Sequence, residues 1–194
     1  VECAMTFGGS PVGRTIGPAL EVREALTLLE NKPGPNSLRE KSLSLAGILL
    51  EMGGVAGRGE GYAAAEEILS SGKAHAKLME IIAAQGGNPN VKSEDIVIGE
   101  NCEEILAPAG GYVVAFYNKR LVELARMAGA PSDQKAGVII HKKMGERVKK
   151  GEPLITICSS SDWELDSAVR DAKRSMPIVV EGMLLERYPR ITEL

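Results

Sequence analysis

The most constraining feature of the sequence is a change of pattern near residue 88. Before it, four segments have the apolar periodicity or composition of helices, and glycine and proline separate them. After it, short apolar runs typical of strands alternate with two more helical segments. This order predicts a mixed α/β (α+β) fold with a mostly helical part at 1–95 and a mixed part at 96–194.

The first part is expected to contain four helices joined by short links. Apolar residues spaced i, i+3, i+4 and i+7 from Val22 predict the first helix, with Pro18 in its first turn. Ser37 and Glu40 have the spacing of a capping box and predict a second helix through Met52, which is apolar nearly all round and therefore expected to be buried. Two further helices are predicted at 60–71 and 73–85. Residues 1–7 are interpreted as the end of a buried strand.

The second part is expected to combine strands with two short helices. Asn118 is the predicted cap of the first helix, which Gly129 ends. Ser161 and Glu164 predict a capping box for the second helix, whose apolar face recurs at helical spacing. The strands are predicted at 104–107, 112–117, 138–141, 154–158 and 178–185.

Composition excludes several classes of partner. The net charge is -3 and aromatic residues make up 4% of the chain, so a nucleic-acid partner is not expected. The longest uncharged apolar run, 43–50, is far shorter than the ~20 residues of a membrane helix, so no membrane partner is expected either. Three widely spaced cysteines favour reduced thiols and a cytoplasmic location.

Most residues that could carry chemistry have a simpler structural interpretation. The glycines at 8–13 match neither G-x-x-x-x-G-K-[ST] nor G-x-G-x-x-G, which are the spacings of two kinds of phosphate-binding loop. They are interpreted as a tight turn. His75 and His141 lack partners at metal-ligand spacing. Asp133 is interpreted as a turn residue, and the lysine pairs at 142–143 and 149–150 as solvated.

Four motifs resemble a known family. Residues 11–24 have the pattern P-x-G-x-x-x-G-x-A-L-E-x-x-E, and A-P-A-G-G-Y-V, A-R-M-A-G-A and V-K-K-G-E-P-L follow at 107–113, 125–130 and 148–154. Together they are similar to the type II (thymidine/pyrimidine) nucleoside phosphorylases. The resemblance implies the C-terminal part of such an enzyme: the later, helical half of the central α/β domain, then an α/β-hammerhead, barrel-sandwich-like domain.

The activity implied by the resemblance is phosphorolysis of a nucleotide or nucleoside. Pro18 and residues 51–54 and 177–183 resemble the archaeal branch, in which AMP and phosphate give adenine and ribose 1,5-bisphosphate. Thymidine or another pyrimidine nucleoside is the alternative substrate. The resemblance also implies a homo-oligomer. The catalytic and substrate-binding motifs of the family have no counterpart here, so no residue is assigned to either role, and this chain alone is expected to be inactive.

One candidate metal site also comes from the resemblance. In bacterial members of the family, two backbone carbonyls of the opening loop and a helix carboxylate help to hold a monovalent cation. By position these ligands become Val12, Thr15 and Glu24, half of a possible K⁺ site. Oxygen ligands of this kind suit a hard cation, and no other cofactor is expected.

Two classes of alternative function remain. A-P-x-x-G-x-V and G-x-x-V-x-x-G-x-x-L turns also occur in biotinyl and lipoyl carrier domains, whose modified lysine lies at a hairpin tip. Only Lys92 precedes the first of these turns at a comparable distance. A non-catalytic scaffold or oligomerisation module is the broader form of this alternative. Anthranilate phosphoribosyltransferase shares the parent fold but lacks the hammerhead domain that residues 104–160 resemble.

Overall fold

A computed structural model describes residues 1–183. Four helices form the first part: α1 (Pro18–Leu29), α2 (Asn36–Met52), α3 (Gly61–Ser70) and α4 (Lys73–Ala84). The four predicted helices are therefore confirmed. Residues 1–7 are exposed and have no regular structure, so the buried strand expected there is wrong. Within the described residues, no helix combines the length and apolar character needed to cross a membrane.

The first two helices begin in different ways. Pro18 opens α1, and the Glu21 side chain accepts a hydrogen bond from the Gly17 N–H at 3.2 Å. Pro35 precedes α2, and no side chain caps it. The predicted Ser37 capping box is wrong because Ser37 lies inside the first turn and its hydroxyl donates to the Val12 carbonyl at 2.6 Å.

Helix α2 packs on one side only. Leu43 and Gly47 are buried, whereas Leu49 is 67% exposed, so the expectation of a helix buried all round is wrong for the residues described. α2 crosses α3 where a Cβ on Gly47 would lie 2.7 Å from the backbone of Gly61, which explains the glycines at this contact. An apolar groove of about 530 Å³ lies among α1–α4. Its lining includes Leu28, Leu38, Leu43, Leu50, Ile68 and Leu69.

Strands of the second part, together with β1 of the first, form two antiparallel sheets within residues 1–183. One has the order β1-β4-β6-β2 and the other the order β5-β3-β7. The strands are β1 (Thr15–Ile16), β2 (Asn101–Leu106), β3 (Gly111–Phe116), β4 (Gly137–Ile140), β5 (Arg147–Val148), β6 (Pro153–Ser159) and β7 (Ile178–Glu181). The five predicted strands are confirmed as elements, although residues 184–185 of the last one lie outside the described residues. β1 and β5 were not predicted.

Two helices, α5 (Asn118–Met127) and α6 (Asp162–Arg174), pack against these sheets. Ser161 caps α6 by accepting the Glu164 N–H, as predicted. Asn118 does not cap α5, because it is the first helical residue and its side-chain amide donates to the Gly8 carbonyl at 3.1 Å. The main core lies between the helices and the sheets. Its fully buried side chains include Ile105, Leu121, Leu124, Ile140, Leu154, Ile155 and Ile157.

Two of the three cysteines form a disulfide. Cys102 on β2 lies opposite Cys158 on β6, with the Cα atoms 4.2 Å apart. The expectation of reduced thiols is therefore wrong for this pair, while Cys3 is free and exposed. The two residues are 56 positions apart, and only the strand register brings them together. The cytoplasmic location stays a prediction, but the disulfide removes the argument from reduced thiols on which it was based.

Candidate functional site

The three predicted cation ligands lie together. Val12, Thr15 and Glu24 all line one hollow of about 450 Å³ between the opening loop and α1. Glu24 is in the second turn of α1, and helical side chains point back toward the N-terminus of their helix, so its carboxylate reaches the loop. The motif therefore selected residues that the fold places around one hollow, and their role as cation ligands stays a prediction.

The loop already holds the Glu24 carboxylate through three hydrogen bonds. Its two oxygens accept the Arg14 N–H at 2.8 and 3.0 Å, and one of them accepts the Thr15 hydroxyl at 3.0 Å. A Cβ on Gly13 would lie only 2.0 Å from a Glu24 oxygen, so a larger residue there would displace the carboxylate from its hydrogen bonds. The carboxylate consequently fixes the shape of the loop before any ligand binds.

The loop then continues directly into the sheet of the second part. Thr15 pairs with Ile139 in β4, and the Ile140 N–H donates to the Arg14 carbonyl at 2.6 Å. Because hydrogen bonding alternates along an antiparallel ladder, the main-chain groups of Thr15 point away from β4. Gly17 has φ 131°, and a Cβ there would lie 2.3 Å from the Ala136 carbonyl oxygen.

A lysine from the second part also contacts the loop. The Lys143 ammonium donates to the carbonyls of Pro11 at 2.5 Å, Gly13 at 2.8 Å and Val12 at 3.3 Å. Lys143 is half-buried. Burial, helped by the nearby Arg14 charge, lowers the pKa of its ammonium group, although the Glu24 charge opposes the shift. The prediction of a solvated lysine pair is therefore wrong for Lys143.

Arg14 and Glu146 complete this contact. The Arg14 guanidinium donates to Glu146 at 2.9 Å and to the His141 carbonyl at 2.6 Å, and the second Glu146 oxygen accepts the Lys143 N–H at 3.0 Å. Burial alone would raise the pKa of the Glu146 carboxyl. The hydrogen bonds from Lys143 and Arg14 and the Arg14 charge outweigh burial, so the pKa lies below its usual value. Loop 11–15 with Glu24, Lys143 and Glu146 is hereafter the loop–turn junction.

The junction has oxygen atoms that suit a monovalent cation, but two of the three expected ligands, Val12 and Glu24, already accept hydrogen bonds. The Val12 carbonyl accepts hydrogen bonds from Ser37 and Lys143, which uses both lone pairs of a carbonyl oxygen. Both Glu24 oxygens are bonded to the loop. Among residues 1–183, no cluster of three or more His, Cys, Asp or Glu side chains could hold a metal ion. As arranged, the Val12 carbonyl has no acceptor position left, whereas Glu24 Oε1 keeps one and no hydrogen bond to the Thr15 carbonyl is present among the described residues.

The remaining candidate residues have structural contacts. His141 Nε2 lies 2.7 Å from the Thr156 hydroxyl, and burial lowers its pKa. Asp133 accepts the N–H groups of Lys135 and Ser160, which confirms its prediction as a turn residue. Lys92 precedes the 3₁₀ turn at Ser93–Asp95 and is not at a hairpin tip.

Sequence reasoning missed Arg14 and Lys143. Both belong to turns, and turn sequences do not indicate which distant backbone they meet. Lys143 lies three residues before Glu146, which indicates a closed turn but not its contact with residues 11–13.

Comparison with known proteins shows which family model and which relatives this sequence matches. Residues 112–179 match the family model of the pyrimidine nucleoside phosphorylase C-terminal domain. The chain is 76% identical to the AMP phosphorylase of Methanothrix thermoacetophila, over 97% of this chain and 38% of that protein. It is 59% identical to the AMP phosphorylase of Methanosarcina barkeri over 97% of this chain. It is 55% identical to that of Pyrococcus abyssi over 96% of this chain, and the match covers 37% of each of these two relatives.

The chain thus spans less than two-fifths of the length of these relatives. The mixed α/β architecture with antiparallel sheets agrees with the matched domain. The division at residue 95 stays a prediction. On these matches the chain is the C-terminal part of a pyrimidine nucleoside phosphorylase-like protein, and residues 112–179 match the C-terminal domain of that family.

Proposed function

We propose that the protein containing this sequence catalyses the phosphorolysis of AMP. The observation that carries the proposal is 76% identity, over 97% of the chain, to a protein named AMP phosphorylase. Phosphate would attack C1′ of the ribose while the bond from C1′ to the purine nitrogen breaks. The products are ribose 1,5-bisphosphate and adenine, which takes up a proton.

We assign this chain a supporting role in that reaction. Charge develops on the phosphate and on the departing base, so the reaction needs cations and N–H donors at both ends. Arg14 and Lys143 are already bonded to Glu146 and to loop carbonyls. The apolar groove has no charged lining residue and is not suited to a nucleotide. The loop–turn junction instead orders the start of α1 against the second part.

The test is base release by the full-length protein, with and without phosphate. AMP, CMP, UMP, thymidine and uridine are incubated separately, and the free base is separated by chromatography. Phosphate-dependent release of adenine from AMP is the expected result. Release from thymidine or uridine alone would contradict it and favour the second candidate, a pyrimidine nucleoside phosphorylase, which the name of the matched domain supports.

Assembly from more than one copy is part of the proposal. The resemblance implies a homo-oligomer, and α2 presents apolar side chains to solvent, with Leu49 67% and Met52 51% exposed. Leu49 and Met52 are three residues apart and therefore neighbours on the helix surface, where a second copy or another part of the same protein could contact them. Light scattering coupled to size exclusion should give a mass of at least two copies of the full-length protein, and a monomer would contradict this part.

The non-catalytic alternative has its own measurement. A carrier domain would acquire a biotinyl or lipoyl mass on a lysine, which mass spectrometry of the purified protein detects. We expect the unmodified mass.

A further inference from the structure

The Cys102–Cys158 disulfide joins an exposed residue to a buried one. Cys102 is exposed on β2, whereas Cys158 on β6 is fully buried. β2 lies at the end of the β1-β4-β6-β2 sheet, and β6 is its partner among the described residues. Because thiol–disulfide exchange requires a thiolate to reach one of the two sulfur atoms, Cys102 is the position at which a thiol from solvent can attack.

The disulfide lies outside the main core. Ile157 directly precedes Cys158 in β6 and belongs to the core, and successive side chains of a strand point to opposite faces of the sheet. From β4, Gly137 pairs with Cys158 and brings no side chain to it. The core contacts of Ile105 and the ladder between β2 and β6 do not depend on the S–S bond. We therefore expect the core to stay folded when this bond is reduced.

The disulfide also holds the end of the segment that connects the two parts of the chain. After a short 3₁₀ turn, this segment, 93–100, has no helix or strand. Ser93 at its start is bonded to α1, and the Gly99 N–H near its end donates to the Lys135 carbonyl at 2.9 Å. The disulfide at Cys102 adds a covalent constraint three residues later. Its loss leaves this segment and the start of β2 with hydrogen bonds and packing alone.

We propose that the Cys102–Cys158 disulfide is a redox-sensitive latch, which a dithiol reductant opens at Cys102. A thiolate of the dithiol attacks Cys102 Sγ, the S–S bond breaks, and its electron pair leaves with Cys158 Sγ, which takes up a proton. The second thiolate of the reductant then attacks the first sulfur, so a cyclic disulfide leaves and Cys102 becomes a thiol. Two electrons and two protons pass from the dithiol to the protein. This proposal goes beyond the proposed function and does not depend on it.

The test equilibrates the full-length protein with mixtures of reduced and oxidised dithiothreitol. Acid stops the exchange, the protein is unfolded, and N-ethylmaleimide labels the free thiols, which mass spectrometry assigns to Cys102 and Cys158. Both thiols should appear together as the share of reduced dithiothreitol rises, while circular dichroism before the acid step stays native. With the monothiol 2-mercaptoethanol, the mixed disulfide should form at Cys102, because Cys158 is buried.

Hydrogen exchange measured by mass spectrometry shows where the latch acts. Reduction should speed amide exchange in residues 97–104 by at least about tenfold and leave α5 unchanged, because the cross-link restrains the start of β2 and not the core. Cys102→Ser should exchange as the reduced wild type does and should not respond to dithiothreitol. Cys3→Ser is the matched control, because Cys3 is free and exposed, and it should respond as the wild type does. If Cys102→Ser fails to fold, the wild type and Cys3→Ser decide.

Four results would overturn the proposal. The first is a disulfide that resists dithiothreitol or is reduced only as the native circular dichroism is lost, because the bond would then be part of the folded core. The second is a reduced protein whose exchange in residues 97–104 equals that of the oxidised protein. The third is a mixed disulfide at Cys158, and the fourth is two free thiols in every mixture.

Discussion

Glu30 connects the end of α1 to the segment that joins the two parts of the chain. Its carboxylate accepts the Ser93 N–H at 2.8 Å and the Ser93 hydroxyl at 2.6 Å, and it pairs with the Lys32 ammonium at 2.7 Å. Only 11% of the Glu30 side chain is exposed, and Ser93 is buried. Replacing Glu30 with glutamine removes the charge at nearly constant shape.

The size of the effect follows from the pKa of Glu30. Burial alone would raise it, but hydrogen bonds from Lys32 and Ser93 offset burial and lower the pKa from 4.5 to about 2. Such a shift is worth at most about 3 kcal/mol of folding free energy. Because the pKa is lower in the folded state, this stabilisation is complete above about pH 4.5 and is lost as the pH falls toward 2. Roughly half of it remains at pH 3.

The assay is urea unfolding followed by far-ultraviolet circular dichroism at pH 7 and pH 3. Glu30→Gln should lower the free energy of unfolding at pH 7 by up to about 3 kcal/mol, and by about half as much at pH 3. Glu94→Gln is the control, because Glu94 contacts the same Lys32 from an exposed position and should change stability by less than about 1 kcal/mol. An equal loss for Glu30→Gln at both pH values would refute the reasoning.

Three further predictions concern the packing and covalent structure. Gly17→Ala should lower the free energy of unfolding by at least about 2 kcal/mol in the same assay, because the positive φ of Gly17 and the adjacent Ala136 carbonyl exclude a Cβ. Gly34→Ala is the control: a Cβ at Gly34 meets no atom within 4 Å, so this variant should be nearly as stable as the wild type. Leu154→Ala should cost about 2–5 kcal/mol by urea unfolding, and Leu106→Ala, which is half-exposed, clearly less. A thiol reagent should titrate one group, Cys3, in the denatured unreduced chain and three after reduction; three groups before reduction would contradict the disulfide.

Local signals in the sequence were enough to predict most of the elements. α6 is the clearest case, since Ser161 and the apolar spacing from Leu165 to Ala172 predicted both its cap and its buried face. The cation ligands were located by a motif, and the fold brings Val12, Thr15 and Glu24 to one hollow. The helix prediction succeeded because it depends on residues within a few turns of each other. The role of Val12, Thr15 and Glu24 as cation ligands stays a prediction.

The failures share a physical cause, which is competition from distant partners. Ser37 bonds to Val12 and not to its own helix, and Asn118 bonds to Gly8. β1 is two residues long, too short for any alternation to appear, and it exists because β4 offers it an edge. The disulfide likewise depends on a strand register that sequence separation does not reveal. No local pattern encodes which distant group will be nearest.

The contacts of β1 constrain any motion of the second part relative to α1. Two main-chain hydrogen bonds cross this boundary outside the paired strand residues, from Ile140 to Arg14 and from Ala19 to the Gln134 carbonyl at 2.6 and 2.9 Å. The Lys143 contacts with loop carbonyls would have to break in the same movement. Each broken hydrogen bond costs about 1 kcal/mol, and more where one partner is charged. We therefore expect α1 and the β1-β4-β6-β2 sheet to move as one body.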